Sequence, residues 1–402
     1  MARTGADFEQ KAYELLRANR RVTDGHQYTI PSPDCYPYQW LWDSCFHAIV
    51  LAKLEPDAAT AELRSLFAKQ FESGLIPHII FWDKTITRPY STGWGAQGTS
   101  SITQPPMIAY AAWEVYRAAG DTAFLKEIFP GMLAYYRYLI EKRDPRDHHL
   151  AGIINPDESG EDNSSRFDMP LHVPPDISLS DHLRERWKLV DKNRTCNFDA
   201  ESCMYDFFWV KDVPFNAILV KNLEVLAHIA SLLGENEAEQ FATLHADLVR
   251  KAMRLRLFDG GVYWSTSGTH YERLSVATWA HFAPLFAGLY TEEEAAALIR
   301  THFYNEDTFR APHGIRTVSK QEPSYRPDGF WRGPVWIAPH WFMYKGLRAY
   351  GFEKEAEWIR ERSRALIQQN GFREYFNPET GEAYGAQDFT WGTLVFDMIA
   401  EE

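Results

Sequence analysis

Two acidic stretches lie far apart in the sequence and carry the residues best suited to acid–base chemistry. The first runs from Glu158 to Asp168 and the second from Gly371 to Phe376. Each sets carboxylates among Gly, Ser, Asn and aromatic residues, outside any clear helical period. A carboxyl group in a pocket lined by Trp and Tyr is partly desolvated, so its pKa can rise until it donates a proton near neutral pH. Two carboxyl groups facing each other across a sugar-sized gap are the usual catalysts of glycoside hydrolysis.

The first stretch holds several carboxylates that compete for the role of proton donor. Gly160 precedes a central acidic pair, and Asn163 and Ser164 follow it, which offers the tight turn needed to hold a general acid in place. The alternative is a helix-capping loop whose carboxylates meet water or calcium, although no D-x-D-x-D-G calcium loop is present. Arg166 could also pair with Asp168 in a purely structural role. The competing residues are Glu158, Glu161, Asp162 and Asp168.

The carboxylate of the second stretch is Glu374, which lies between Arg373 and Tyr375. An acid among aromatic residues is a poor candidate for a solvated surface group. As a general base it would stay ionised and polarise a water molecule. The alternative is an ion pair with Arg373 or another basic residue.

A group of aromatic and polar residues near the N-terminus is the best candidate for binding substrate. Trp40 and Trp42 are spaced as in an extended segment that leads to Asp43 at a helix start, where Asp43 is equally well interpreted as an N-cap. His78 could donate to a hydroxyl, although a lone His is more often structural. Gln104 stands before two prolines and offers a neutral, bidentate hydrogen-bonding amide. Tyr36, a few residues before Trp40, belongs to the same group.

Composition supports a sugar-binding protein with a large core. Of 402 residues, 45% are hydrophobic and 15% aromatic, with 14 Trp and 20 Tyr. Tyr and Trp combine an apolar face with a polar tip, which suits the C–H faces and hydroxyl edges of sugars, although aromatic filling of a helical core explains the composition equally well. The net charge of -13 argues against nucleic acid and anionic membranes as partners.

Cysteine usage and the N-terminal segment favour a cytoplasmic protein. Cys35, Cys45, Cys196 and Cys203 form no C-x-x-C pair and no zinc pattern, and they predict no disulfide framework. The segment from Met1 to Arg20 has no apolar core and does not resemble a signal peptide. No stretch reaches the roughly 20 apolar residues of a membrane span. The oligomeric state is left open, a homo-oligomer included.

Helical periodicity recurs along the whole chain and predicts about twelve helices in one domain, 1–402. Amphipathic, charged helices alternate with helices whose polar faces are weaker, which is typical of an (α/α)6 barrel, with an irregular α-solenoid as the competing architecture. The weaker helices tend to start within aromatic, polar loops, which would then converge at one end of the barrel. Segments 83–102 and 144–200 lack this period and are predicted to be loops or a small cap over the pocket. The predicted helices are 6–20, 41–54, 56–72, 105–118, 121–143, 210–233, 235–257, 275–288, 291–302, 334–349, 353–369 and 388–400.

Other chemistries find little support in the sequence. No G-x-S-x-G elbow, phosphate loop, dinucleotide fingerprint or H-E-x-x-H occurs. Two alternatives to a glycosidase stay open: a sugar isomerase or epimerase on the same barrel, and a non-catalytic sugar-binding protein. An isomerase would need a His pair in the pocket, and the available histidines are His47, His78, His270, His281 and His340.

These segments resemble glycoside hydrolase family 63, in particular its short bacterial branch that acts on mannosylglycerate or glucosylglycerate. The resemblance rests on 36–43, on the E-S-G-x-D-N-S pattern at 158–164, on 331–336 and on Glu374. It implies an all-α (α/α)6 barrel, an inverting mechanism, no cofactor and no metal, with Asp162 as general acid and Glu374 as general base. A trehalase-like or oligosaccharide α-glucosidase is the nearest alternative within such enzymes.

The resemblance also implies positions for the residues that bind the small glycoside. Trp42 and Asp43 would lie beside the sugar, and the glycerate carboxylate requires donors, for which the sequence offers Arg166, Lys188, Arg194 and Arg332 without choosing among them. In segment 83–102, Tyr90 and Trp94 would exclude water if it closes over the ligand. The predicted substrate-binding set is Tyr36, Trp40, Trp42, Asp43, His78, Gln104, Tyr205, Trp331, Tyr375, Gln387 and Trp391.

Overall fold

The computed structural model describes residues 2–88, 91, 93–96 and 98–400. This part of the chain is mainly helical, with short strands that pair mostly as two-stranded hairpins. The helices are α1 (Ala2–Asn19), α2 (Leu41–Leu54), α3 (Pro56–Phe67), α4 (Ile108–Ala119), α5 (Thr122–Lys142), α6 (Asp168–Leu171), α7 (Leu179–Thr195), α8 (Ala200–Asp206), α9 (Val213–Leu233), α10 (Asn236–Arg256), α11 (Ala283–Phe286), α12 (Glu292–Leu298), α13 (Ile337–Ala349), α14 (Glu353–Asn370) and α15 (Leu394–Ile399).

The strands are short and join loops to the barrel. Near the C-terminus, Arg373–Phe376 and Ala383–Gln387 pair as an antiparallel hairpin. The strands are β1 (Arg20–Thr23), β2 (His26–Thr29), β3 (Gln39–Trp40), β4 (Ile79–Ile80), β5 (Val210–Lys211), β6 (Phe258–Asp259), β7 (Val262–Tyr263), β8 (Thr266–Ser267), β9 (Glu272–Arg273), β10 (Arg310–Ala311), β11 (Gly314–Ile315), β12 (Arg373–Phe376) and β13 (Ala383–Gln387).

Six helices close into an inner ring in the order α2, α4, α9, α11, α13, α15 and back to α2. The residues of α2 from Leu41 to Ala52 are all buried, as expected of a helix surrounded by neighbours on every side. Helix α9 is as apolar as a membrane-spanning helix of its length, but it packs between α4, α10 and α11 within the ring. The predicted (α/α)6 barrel is therefore confirmed.

The outer helices α1, α3, α5, α10 and α14 each bury one face on the ring, as their amphipathic sequences predict, and the shorter α12 buries Ala295 and Leu298. Local signals set several boundaries. Asp121 accepts a hydrogen bond from the backbone N–H of Phe124 and begins α5, which continues through Pro130. Thr291 and Glu294 form a capping box at the start of α12, and Gly234 ends α9 in the left-handed conformation that its position predicts.

Two predicted inner helices are shorter than their apolar patterns suggest. The segment 275–288 contains a 3-10 turn, Trp279–His281, followed by the four-residue α11. The segment 388–400 begins as a 3-10 turn, Thr390–Thr393, and continues as α15. A short, buried apolar run has the same sequence pattern in a 3-10 turn as in an α-helix. Periodicity alone therefore does not show which of the two forms.

The segment 144–200, predicted to be loops or a small cap, contains the helices α6 and α7 rather than loop alone. Helix α7 begins after Ser178, whose hydroxyl accepts a hydrogen bond from the backbone N–H of Asp181. Its charged sequence and Pro-rich approach concealed the helical period. A disulfide between Cys196 and Cys203 links the end of α7 to α8, which a seven-residue separation without a known motif did not indicate.

A buried ion pair ties the acidic loop to the barrel. Both carboxylate oxygens of Glu158 accept hydrogen bonds from the Arg143 guanidinium, at 2.6 and 2.7 Å. The same oxygens accept from the backbone N–H groups of Thr103 and Ile154, at 3.0 and 2.7 Å. Both side chains are almost fully excluded from solvent, so each charge depends on the other.

We predict that Arg143→Met destabilises the protein by about 3–5 kcal/mol, because it leaves the Glu158 carboxylate buried without its cation. Urea unfolding followed by circular dichroism measures this loss. Lys11→Met is the matched control, because Lys11 pairs with Asp7 on the exposed surface of α1 and should unfold at the wild-type midpoint. Equal midpoints for the two variants would contradict the structural role given to Arg143.

Candidate active site

The segments that lead into several inner helices surround one cavity of about 720 Å³. Its walls come from the approaches to α2, α4, α13 and α15, from the acidic loop before α6, from the β12–β13 hairpin, and from α7. The predicted convergence of aromatic loops is thus observed. The predicted site residues that line it are Tyr36, Trp40, Trp42, Asp43, Gln104, Asp162, Trp331, Glu374, Tyr375 and Trp391.

Asp162 is the one acid of its stretch that lines this cavity. Glu158 is bound by Arg143, as described above. Glu161 accepts hydrogen bonds from the Arg166 guanidinium at 2.7 and 2.8 Å, and Asp168 is held by Arg332 at 2.5 and 2.9 Å. The expected pair of Arg166 with Asp168 is therefore wrong, since Arg166 divides its donors between Glu161 and Asp212.

Burial determines the protonation behaviour of Asp162. Desolvation raises its pKa to about 6, although the Arg186 guanidinium opposes this rise and the Asp157 carboxylate adds to it. Arg186 forms an ion pair with Asp162 and another with Asp157. Gly160 lets this loop pass closely under Trp42, because a Cβ atom at Gly160 would overlap the indole ring.

Glu374 enters the cavity from β12. Its Oε1 accepts a hydrogen bond from the Tyr36 hydroxyl at 2.6 Å, and its Oε2 accepts from the backbone N–H of Ala386 on β13 at 2.7 Å. Burial raises the pKa of Glu374 to about 7; these two donors oppose the rise, while Asp162 and Asp43 add to it. The neighbouring Arg373 donates to the Gly385 carbonyl instead, so the alternative of an Arg373–Glu374 ion pair is wrong.

Asp43 is a third buried carboxyl group in the cavity wall. It lies in the first turn of α2, where Trp40 is the N-cap and makes no side-chain cap, so the interpretation of Asp43 as N-cap is wrong. Its Oδ1 accepts a hydrogen bond from the Trp391 indole N–H at 2.6 Å. Burial raises the pKa of Asp43 to about 6, against the opposing effects of His47 and Trp391.

Aromatic rings form a continuous wall beside these carboxyl groups. Trp331 and Trp336 stack with ring centres 4.0 Å apart and planes within 6°, and Tyr375 stacks on the other face of Trp336 at 5.2 Å. Trp42 meets Trp391 edge to face at 5.0 Å. Gln104 supports this wall, because its side-chain oxygen accepts from the backbone N–H of Trp42 at 3.3 Å.

Three predicted binding residues lie outside the described cavity wall. Tyr205 is 48% exposed on α8 and packs its ring against Trp209. Gln387 is exposed at the end of β13, where its carbonyl accepts from Ser32. His78 is buried and packs edge to face against the rings of Trp40 and Trp94, so it supports the cavity wall from behind. Tyr90 lies outside the described residues.

The histidines do not support an isomerase. Among the described residues that line the cavity there is no histidine. Burial lowers the pKa of His78, His281 and His340 to about 3, so each is held neutral. A two-base proton transfer would need such groups in contact with the substrate.

Sequence reasoning missed the cations of the cavity. Arg88 and Arg186 are the cationic side chains among its described lining residues. The basic residues named from the sequence are engaged elsewhere: Arg166 and Arg332 in the pairs given above, Lys188 with Glu185, and Arg194 with Asp191 and the Gly93 carbonyl. The missed signal was the helical spacing in α7 of the lining residues Leu179, Leu183, Arg186, Trp187 and Val190.

A cluster of potential metal ligands lies elsewhere. In the described part of the chain, Asp144, Asp147 and His149 bring potential ligand atoms within 4.8 Å of one another. They follow α5, and none of them lines the cavity. The absence of a metal or cofactor from the reaction stays a prediction.

Comparison with known proteins places this arrangement among enzymes. Residues 36–392 match the family described as the mannosylglycerate hydrolase MGH1-like glycoside hydrolase domain. The mannosylglycerate hydrolase of Thermus thermophilus is 34% identical, over 96% of this chain and 98% of that protein. The glucosylglycerate hydrolase of Mycolicibacterium hassiacum is 28% identical, over 98% of each chain.

Solved structures agree with the sequence relatives. A crystal structure of the family 63 mannosylglycerate hydrolase from Thermus thermophilus, in complex with Tris and D-glycerate, superposes with a TM-score of 0.89 at 31% identity. The match covers 98% of this chain and all of that one.

We predict that Tyr36→Phe raises the pKa of Glu374, because the lost hydroxyl donates to the ionised carboxylate and stabilises its charge. Carbon-13 NMR titration of labelled glutamate side chains measures the shift. Thr23→Val is the control, because Thr23 bonds to Tyr28 away from the cavity and should leave the titration of Glu374 unchanged. A pKa that is unchanged or lower in Tyr36→Phe would contradict this assignment.

Proposed function

Because this chain belongs to the family of mannosylglycerate hydrolase MGH1-like glycoside hydrolases, we propose that it hydrolyses mannosylglycerate or glucosylglycerate to the hexose and glycerate. The observation that carries the proposal is that two buried carboxyl groups of raised pKa, Asp162 and Glu374, face one aromatic-lined cavity. In this proposal Asp162 is the general acid and Glu374 the general base of an inverting reaction.

Asp162 suits the role of proton donor because of its surroundings. The other acids of its loop are committed to buried arginines, whereas Asp162 faces the cavity. A carboxyl group that is desolvated holds its proton more tightly than one in water, so a protonated fraction persists near neutral pH. From this position it delivers the proton to the glycosidic oxygen as the bond to glycerate breaks.

Glu374 suits the role of base because its two oxygens are fixed but not fully used. Each oxygen accepts one donor, from Tyr36 or from Ala386, and a carboxylate oxygen can accept a second. A water molecule that donates to this carboxylate becomes more nucleophilic and attacks the anomeric carbon on the face away from the leaving group. The product hexose then carries the inverted configuration.

The aromatic wall and Asp43 account for binding of the hexose. Trp331 and Tyr375 cover the two faces of Trp336, and these rings together with Trp42 line the cavity with apolar surface that suits the C–H groups of a sugar. Asp43 is held by Trp391 through one oxygen, so the other is available to accept from sugar hydroxyls. When the sugar binds, its hydroxyls donate to this buried oxygen of Asp43 in place of water.

The glycerate carboxylate requires a cation, and the cavity offers Arg186 and Arg88. Arg186 is the better placed of the two, because it already contacts the proposed proton donor Asp162. The leaving group is bonded to the oxygen that Asp162 protonates, so its carboxylate lies within a few atoms of this arginine. Preference for mannose or glucose is not decided by these contacts.

The cytoplasmic location stays a prediction from cysteine usage and the N-terminal segment, and the oligomeric state stays open. The disulfide between Cys196 and Cys203 argues for an oxidising compartment, since such bonds are rare where thiols are kept reduced.

We expect incubation with mannosylglycerate or glucosylglycerate to release free hexose and glycerate, with the first-formed hexose being the anomer opposite to the substrate. Proton NMR during the first turnovers measures both. Asp162→Asn and Glu374→Gln should each lower kcat by about 100- to 10,000-fold, because an amide neither donates nor accepts the required proton. Tyr205→Phe is the control, because Tyr205 lies outside the cavity. Near-normal turnover by either acid variant would remove that residue from its role.

We expect a narrow, bell-shaped dependence of kcat/KM on pH, with its optimum between about pH 6 and about pH 7. Burial raises the pKa of Asp162 to about 6 and that of Glu374 to about 7, and the charge of Asp162 adds to the rise at Glu374. Activity falls as pH drops because the base becomes protonated, and falls as pH rises because the acid loses its proton. A profile that stays flat from about pH 5 to about pH 8 would contradict the pairing of these two groups.

A further inference from the structure

Arg186 holds the proposed proton donor in its unreactive form. Its guanidinium donates to Asp157 through Nε at 3.2 Å and Nη2 at 2.6 Å, and its Nη1 forms the ion pair with Asp162. The side chain is 9% exposed. All three nitrogens therefore have partners, and one positive charge serves two carboxylates. An ion pair favours the ionised form of Asp162, which cannot donate a proton.

We propose that the carboxylate of the substrate takes the place of Asp162 on Arg186, and that Asp162 takes up a proton from solvent as it is displaced. The inference rests on the proposed function and adds to it a reason why the substrate is an anion. The exchange balances in charge: Asp162 carboxylate, substrate carboxylate and one proton become neutral Asp162 and a substrate carboxylate paired with Arg186. Binding of the substrate carboxylate thus leaves Asp162 protonated, which is the form that donates a proton to the glycosidic oxygen.

The geometry supplies both the place and the driving force for this exchange. An anion that enters the cavity without neutralising a carboxylate would be a third negative charge around Arg186, in a site whose aromatic walls exclude water. Protonation of Asp162 removes that repulsion. Asp157 stays paired through the opposite edge of the guanidinium, so Arg186 keeps its position while one donor edge changes partner.

The proposal also resolves a mismatch between the two proposed catalysts. In the unliganded protein the pKa of the base, about 7, exceeds that of the acid, about 6. With the pKa values in this order, a singly protonated molecule carries its proton more often on Glu374 than on Asp162. Loss of Arg186 as a partner raises the pKa of Asp162 further and moves the proton to the residue that uses it.

Other groups near Asp162 could take up a proton when an anion binds, and the experiment must separate them from it. Glu374 is the strongest competitor for the proton, because it faces the same cavity and its pKa is raised in part by the charge of Asp162. The Tyr36 pKa is raised above its ordinary value by burial and by Glu374, so Tyr36 stays neutral. His182 on α7 also faces Arg186, and its pKa is lowered to about 3 by burial, so it stays neutral. The other charged and titratable groups around the pair include Asp157, Arg186, Glu374, Tyr36, Asp43 and His78.

The test is binding of D-glycerate to the intact protein by isothermal titration calorimetry, in buffers of different ionisation enthalpy, from about pH 6 to about pH 8. We expect uptake of about one proton at the upper end of this range, and a Kd that rises about tenfold for each pH unit. Asp162→Asn should bind without proton uptake and with a Kd independent of pH, so it should bind glycerate more tightly than the wild type at about pH 8.

Two variants provide the matched comparisons. Glu374→Gln also removes one carboxylate from the cavity, but not one paired with Arg186, so it should keep the proton uptake. Arg186→Met should lose glycerate binding, with its fold checked by circular dichroism. Proton uptake near zero in the wild type overturns the proposal. Uptake that persists in Asp162→Asn and disappears in Glu374→Gln overturns it as well, because the proton then goes to the base.

This experiment separates the inference from the function on which it rests. If the enzyme hydrolyses mannosylglycerate but binds D-glycerate without proton uptake, the exchange at Arg186 is wrong and the function stands. If it neither hydrolyses the hexosylglycerates nor binds D-glycerate, the proposed function itself fails. A second readout is the pH profile of kcat, whose alkaline limb should lie at higher pH for mannosylglycerate than for the neutral mannosylglycerol. Coincident limbs would contradict the exchange.

Discussion

The structure depends on one electrostatic requirement: a carboxylate that leaves water must find a cation and hydrogen-bond donors. Three acids of the stretch from Glu158 to Asp168 meet it through buried arginines, which are Arg143 for Glu158, Arg166 for Glu161 and Arg332 for Asp168. Because these arginines come from the end of α5, from the loop itself and from the approach to α13, the loop is fastened to separate parts of the barrel. Asp162 is the acid that this fastening leaves facing the cavity, and its cation comes from α7.

Desolvation, which makes those ion pairs necessary, also makes the cavity reactive. Burial raises the pKa of Asp43, Asp162 and Glu374, and nearby carboxylates add to the rise in each case. Specific donors limit the effect: Tyr36 and the Ala386 N–H hold Glu374, and the Trp391 indole holds Asp43. The approach to α2 adds a helix N-terminus, which favours negative charge close to it. The balance places three carboxyl groups within reach of neutral pH, and each of them keeps a hydrogen-bond donor or a cation as a partner.

Helix α7 connects the electrostatics of the site with its shape. One face of this helix lines the cavity with Leu179, Leu183, Trp187 and Val190, and the same face carries Arg186. Trp187 packs against Trp94 of segment 93–96, and Arg194 donates to the Gly93 carbonyl, so the helix and this segment form one wall. The cation that an anionic glycoside needs is thus attached to the part of the protein that encloses it, while the barrel carries the groups that act on the glycosidic bond.

The sequence by itself determined the architecture and most of the cavity. Apolar periodicity is a local property, so the alternating helices, the (α/α)6 barrel and the convergence of the aromatic loops around Tyr36, Trp42 and Trp331 followed from it. Ion pairing is not local, and here only the tertiary structure decided. Each acid of the loop selects the arginine that folding brings to it, up to 164 residues away for Asp168 and Arg332, which no spacing in the sequence encodes. The helix α7 was missed for a related reason: its charged sequence has a weak apolar period, and the residues that bury Leu189 and Val190 come from other parts of the chain and meet them only on folding.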